Sequence, residues 1–214
     1  MDKAKEVLAL YQAYPFVEFV CLLTDNRKAG NRYPMPVILK AYKPLGIPMA
    51  VHLCGKIAHD LVTTGDWKPV EKMLGDSMRL FSRIQFNIPK TNHFSRGLHF
   101  PEDKQIIIQL HEGTRALFDH YAHLPSVQGF QDGSGGRGIL CKEWMTPLSP
   151  FFGYAGDLNA DNVVQSVRAI GQVCPSDFWI DMESGVRTND KFDIRKCRRV
   201  CEALTEAGLI HCPP

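Results

Sequence analysis

An α/β fold of the TIM (β/α) barrel type is predicted for this chain by two observations. Apolar, β-branched strands recur along it with helical segments between them, and several strands pass into polar, glycine-rich sequence at their carboxyl side. A third feature concerns strand faces. His52 alternates with Cys54, Arg83 with Gln85 and Asn87, Gln109 with His111, and Asp181 with Glu183, so each set shares one face of its strand. Such faces are costly in a dry core unless paired, so they read either as the lining of a wet pocket or as satisfied polar layers inside a barrel.

In chain order the first element is a helix over about 2–13, followed by a strand within "FVEFVCLLT" (16–24). A polar loop, "RKAGNRYP" (27–34), leads to a helical segment at 35–43 and a second strand in "GIPMAVHLCG" (46–55). Helical spacing covers 56–62 and 67–79, before a third strand, "SRIQFNIP" (82–89). Residues 89–103 break the rhythm: polar and proline-flanked, they form a loop where a helix is expected, read as a lid over a site or as a mobile surface loop. Strand, helix and strand follow at 105–113, 114–123 and 126–133. Strands at 151–158 and 178–185 alternate with helices at 159–171 and 192–207, which makes seven recognisable strands.

The chain has 214 residues, enough for one sizeable core, and a single barrel domain over 1–214 is expected. A formal net charge of +2 gives no electrostatic reason to expect nucleic acid. No apolar run approaches the roughly 20 residues of a membrane helix, and the charged start "MDKAKE" does not suit a signal peptide, so no membrane partner and a cytoplasmic location are expected. Seven cysteines are scattered with no CxxC pair, which argues for reduced, mostly buried thiols. Cys197 and Cys201 share one helix face, as core packing or as a metal or redox pair. His52, Cys54, His111 and Glu112 contain metal-ligating types, but no spacing signature joins them, and no metal or cofactor is expected.

The chemistry lies at three strand ends. In "FQDGSGGRG" (130–138) successive glycines let backbone N–H groups converge on an anion, since no Cβ blocks the approach. "GYAGDLNADNV" turns tightly at Gly156 and Asp157 into a helix whose amino end favours an anion. "IDMESGVR" supplies a third small-residue turn, Ser184-Gly185, with Arg187 just beyond. After the sixth, seventh and eighth strands of a barrel these would form its phosphate-binding corner, with Gly135, Gly136, Arg137 and Gly138 as the cradle. His52 and His111 are candidate hydrogen-bonding or proton-transfer groups, or ordinary buried histidines.

These three motifs, in order and spacing, resemble the last strand motifs of phosphoribosylanthranilate isomerase, a tryptophan-pathway enzyme. "NRYP" resembles that family's arginine loop, and "IQFN" or "IIQLHEG" its Gln-Leu-His strand. The likeness is strong over 126–200 and loose over 16–113. It implies an Amadori rearrangement of a phosphosugar, in which an acid protonates the ring oxygen and a base takes a carbon-bound proton. Asp132 matches the acid, and Arg32 matches an arginine that reaches a ligand carboxylate. Counted this way, the strand at 16–24 is the family's second; the first, which carries the cysteine base, is missing, and Cys21 falls on the wrong strand. Gly156-Asp157-Leu158 stands where the family pairs glycines, and Arg137 and Glu183 replace small hydroxyl residues, so a hydroxyl-rich ligand suits the site as well as a phosphate. Three readings follow. One is an isomerase of this type acting on a phosphorylated or polyhydroxylated small molecule. Another is a non-catalytic barrel homologue that binds a ligand or partner, and the third is a different sugar-phosphate isomerase or epimerase with Glu183 or His111 as base. A homodimer is left open.

Overall fold

The computed structural model describes residues 3–26, 39–88, 91, 93–132, 139 and 141–210. In chain order these form α1 (Lys3–Ala13), β1 (Phe19–Thr24), β2 (Met49–Cys54), α2 (Lys56–Thr64), α3 (Lys68–Leu74), β3 (Phe81–Asn87) and β4 (Gln105–Leu110). Next come α4 (Arg115–Tyr121), β5 (Val127–Asp132), β6 (Phe152–Ala155), α5 (Val163–Val173), β7 (Phe178–Ile180), β8 (Arg187–Thr188), β9 (Lys191–Phe192) and α6 (Ile194–Glu206). The first seven strands form one sheet in the order β1-β2-β3-β4-β5-β6-β7, with parallel pairing. A doubly wound sheet turns back at a switch point; this order never does, which is the winding of a (β/α) barrel. All seven expected strands are present.

The chain divides into two compact units, one of Glu18–Gly129 and the other of the flanking segments up to Val17 and from Phe130. In the first, strand register sorts the residues by face. Cys21, Val51, Ile84 and Ile106 align across the strands, as do Leu23, Leu53, Phe86 and Ile108, and all are buried. This apolar face meets the helical layer: Phe86 contacts the rings of Trp67 and Phe100. The opposite face carries Leu22, His52, Gln85 and Ile107 in one row. At its amino end Arg83 donates to Glu18 at 2.9 Å and to Gln128 at 2.9 Å, and Gln128 donates to Gln105 at 3.1 Å. Arg83, Glu18, Gln128 and Gln105 thus form a hydrogen-bonded polar layer at that end of the face.

The stretch expected as a lid or mobile loop is fastened to helices at its described residues. Ser95 N–H donates to the Val62 carbonyl of α2 at 2.8 Å, and the Tyr121 hydroxyl of α4 donates to the Ser95 carbonyl at 2.6 Å. Trp67 Nε1–H donates to the His99 carbonyl at 2.6 Å. Backbone groups that a helix would satisfy internally find side-chain and helix-end partners instead.

In the second unit α6 is strongly amphipathic and buries Cys197, Val200, Cys201 and Leu204. The Cys197–Cys201 pair is part of this packed face, and the six described cysteines are free thiols. Asp193 caps the helix, accepting from the backbone N–H groups of Arg195 at 3.0 Å and Lys196 at 3.4 Å and from Thr188 Oγ1 at 2.8 Å. The β8–β9 hairpin was not expected; its turn at Asn189 and Asp190 takes left-handed φ of 50° and 60°, which these residue types tolerate. In β6, a Cβ on Gly153 would lie 2.2 Å from the Trp179 ring, and that ring stacks on Phe130 with centroids 5.1 Å apart. Among the described residues no helix is long and apolar enough to cross a membrane.

Two outcomes are expected. Gly153→Ala forces Trp179 off Phe130 and should lower stability by about 1–3 kcal/mol in urea titration, the range of core overpacking. Asp193→Ala should cost about 1 kcal/mol as a lost cap. Hydrogen bonding to Thr188 is the largest cause holding the Asp193 carboxyl below its ordinary value of 3.8. The wild-type advantage over Asp193→Ala is therefore present above about pH 4 and fades as pH falls through the lowered folded value, which melting curves across acidic pH check.

Candidate functional site

The carboxyl ends of β5, β6 and β7 are built in two layers. Register aligns Phe130 with Gly153 and Gly153 with Trp179, and two residues further on aligns Asp132 with Ala155. The ladder extends one step past β7, since Asp181 N–H donates to the Tyr154 carbonyl at 2.9 Å. The pleat therefore sets Asp132, Ala155 and Asp181 on one face, above the Phe130–Trp179 stack. Two carboxylates flank an alanine over an aromatic floor, on strands about 10 Å apart by two strand spacings. Asp181 was legible only as a same-face partner of Glu183, and the sequence did not single it out for the site.

Beyond β6 the chain turns at Gly156, with φ 147°, and Asp157, with φ 50°. An aspartate in the left-handed region needs support, and its carbonyl accepts from Asn159 Nδ2 at 3.1 Å and Asn162 Nδ2 at 2.9 Å. Asn159 N–H donates to Asn162 Oδ1 at 2.9 Å, closing a side-chain network before α5. The turn after β7 comes against this one: a Cβ on Gly185 would meet the Leu158 carbonyl oxygen at 2.0 Å and Asn159 Cβ at 2.9 Å. The predicted Gly156, Asp157, Ser184 and Gly185 thus lie in two adjoining turns, next to the strand end that bears Asp132. Ser184 is exposed and Asp157 half-buried.

Glu183 is committed to an ion pair. Its Oε1 lies 3.3 Å from Arg187 Nε, while Arg187 Nη1 donates to the Asp190 carbonyl at 2.7 Å, so the pair braces the β8–β9 hairpin. Cys141 packs on the first turn: a Cβ on Gly156 would lie 2.8 Å from its own. Burial, and then the nearby carboxylates of Asp132 and Glu143, raise the Cys141 thiol above its ordinary value.

In the Glu18–Gly129 unit, His52 is buried on β2, with Nδ1 3.4 Å from Gln85 Nε2. Gln85 Nε2 also donates to Asn87 Oδ1 at 2.7 Å, while Gln85 Oε1 is buried with no partner among the described residues. His111 follows β4. Its Nδ1 accepts from Gly113 N–H at 3.1 Å, so the ring proton sits on Nε2, which donates to the Ile88 carbonyl at 3.0 Å. Both nitrogens of a neutral imidazole are engaged. Cys21 lies on the face opposite His52, and burial pushes its thiol up to about 12. Among the described residues no group of three or more His, Cys, Asp or Glu side chains is placed to hold a metal ion. Arg32, Gly135, Gly136, Arg137 and Gly138 lie outside the described residues.

No protein-family model matches the sequence, and no curated protein does. Among solved structures the chain is similar to monomers generated from the dimeric phosphoribosylanthranilate isomerase of Thermotoga maritima. The TM-score is 0.57 at 12% identity, covering 95% of this chain and 94% of that one. It is also similar to N-(5'-phosphoribosyl)anthranilate isomerase from Pyrococcus furiosus, with a TM-score of 0.51 at 13% identity and 94% of each chain covered. At these identities the likeness establishes the fold.

Gly185→Ala places a methyl group inside a backbone carbonyl contact that no side-chain rotation relieves. The two turns should part, with chemical-shift changes centred on Leu158 and Asn159 in backbone NMR and a stability loss of about 1–3 kcal/mol.

Proposed function

We propose that the protein binds a phosphorylated sugar or related polyol at the carboxyl ends of β5–β7, and that Asp132 serves there as the general acid of an isomerase. The observation that carries this reading is the contact of the turns after β6 and β7. Gly185 admits the Leu158 carbonyl where a side chain would otherwise stand, which brings two small-residue turns beside the Asp132 strand end. Backbone amides at such turns can face an anion without steric obstruction. The fold shared with two phosphoribosylanthranilate isomerases supports the same ligand class. Gly135, Gly136, Arg137, Gly138 and Arg32 keep their sequence-based assignment as anion ligands.

In the rearrangement, Asp132 would give its proton to the ring oxygen as the C–O bond opens, and a base would remove the proton from the neighbouring sugar carbon. Three groups compete for that second role. Glu183, paired with Arg187, and His111, hydrogen-bonded at both ring nitrogens, are the two bases the sequence offered. Asp181 stands in the same layer as Asp132, across Ala155 on the next strand, and we assign the base role to it.

A second reading, a binding protein without turnover, is favoured by Asp157. Its carboxylate replaces an uncharged residue of the resembling motif and opposes a phosphate dianion. Conversion of phosphoribosylanthranilate, followed as loss of its fluorescence, separates the two. An active wild type should lose about 10²- to 10⁴-fold in kcat on Asp132→Asn, the usual worth of a general acid. A wild type that shows no conversion, yet melts at higher temperature in phosphate, is the result expected of the binding protein.

A further inference from the structure

Gln131 points away from the Asp132 face and ties its strand to the segment 141–145. Its Oε1 accepts from Met145 N–H at 2.9 Å, and its Nε2 donates to the Glu143 carbonyl at 2.9 Å and to Cys141 Sγ at 3.5 Å. One amide thus satisfies both a carbonyl and an N–H of this backbone. Its register partner on β6, Tyr154, completes the grip: the hydroxyl donates to the Met145 carbonyl at 3.0 Å, and the ring meets Trp144 edge-on. Cys141, at the start of this 141–145 strap, donates to the Glu143 carbonyl at 3.1 Å and bears on Gly156.

We propose that Gln131 is a positioning residue. It fixes the strap, and the strap holds Cys141 against Gly156, so the turn at Gly156 and Asp157 keeps its left-handed geometry beside Asp132. The ligand consequence rests on the function proposed above; the mechanical link does not. Nothing in the resembling motifs assigns a role to this side chain.

The test uses the full chain with Gln131→Met, which keeps length and removes every hydrogen bond, and Gln131→Glu, which keeps the acceptor for Met145 N–H. Amide hydrogen exchange and inorganic phosphate titration are read on all three proteins. Loss of the Gln131 acceptor for Met145 N–H should speed exchange at Met145 about tenfold. Exchange should also quicken at Leu158 and Asn159 while the α6 amides stay unchanged, a localisation that general destabilisation would not produce. Gln131→Glu should restore protection at Met145. Phosphate affinity should fall about tenfold in Gln131→Met, an effect of the same size. Unchanged exchange at Met145, or faster exchange there with Leu158 and Asn159 unaffected, overturns the positioning role. Should the wild type not bind phosphate, the proposed function fails, and the exchange pattern alone decides whether Gln131 positions the turn.

Discussion

The missing side chain of Gly153 is the constraint on which the second unit depends. Because that position is empty, Trp179 can lie across β6 and stack on Phe130 with an interplanar angle of 9°. Two large rings from strands that are not neighbours then meet over the strand between them, and their dispersion and apolar burial add to the ladder hydrogen bonds that set the spacing of β5, β6 and β7. The layer above inherits that spacing. Asp132, Ala155 and Asp181 can face one another only because the residues beneath them close the sheet into a solid floor.

The opposite face of the same strands is secured by different physics. Where a (β/α) unit commonly follows its strand with a helix, the described part of the β5–β6 connection forms neither helix nor strand. Side chains must satisfy it, and Gln131 and Tyr154 do so from adjacent strands. Polar grip on one face and aromatic stacking on the other therefore act on the same few residues of β5. The strand end carrying Asp132 is held from both sides, which suits the acid role proposed for it.

The strands were legible because each is a short apolar run with β-branched or aromatic residues, bounded by turn residues, and their alternation with helices implied parallel pairing. Helix ends were less so: the 159–171 segment begins its helix only at Val163, since Asn159 Oδ1 accepts from Asp161 N–H and Asn162 Oδ1 from Asn159 N–H, which holds 159–162 in a turn ahead of the helix. The β8–β9 hairpin escaped notice because two-residue strands carry no periodicity, although Asn189-Asp190 is a turn pair. At the site, Gly156 and Gly185 could be read as tight turns, but not that Gly185 touches Leu158, a contact between residues far apart in sequence. Gln131 was invisible for a related reason. Its partners lie a dozen residues ahead in a segment with no pattern of its own, and a glutamine beside a glycine-rich run looks like loop chemistry. His111 shows the converse limit, since a histidine at a strand end reads the same whether its nitrogens await a substrate or, as here, bond to Ile88 and Gly113.

If the strand ends bind the ligand proposed above, their charges constrain it further. Asp132, Asp157, Asp181 and Glu183 all belong to this region, and the nearby Arg187 is already engaged with Glu183 and the Asp190 carbonyl. Asp157, Asp181 and Glu183, when ionised, only accept hydrogen bonds and so suit hydroxyl donors and oppose a phosphate, whereas Asp132 as the proposed acid carries a proton. Backbone amides at the glycine turns only donate, and so recognise the phosphate and not the acceptor face of another carboxylate. A ligand that satisfies both sets must carry hydroxyl groups at one end and an anion at the other, with the two ends far enough apart that the anion rests on the turns and not on the carboxylates. A sugar phosphate has that polarity built into its covalent structure, whereas a free polyol leaves the amides bare and inorganic phosphate leaves the carboxylates unpaired. On the function proposed above, the side chains on β5 to β7 would therefore suit the composite ligand better than either of its halves.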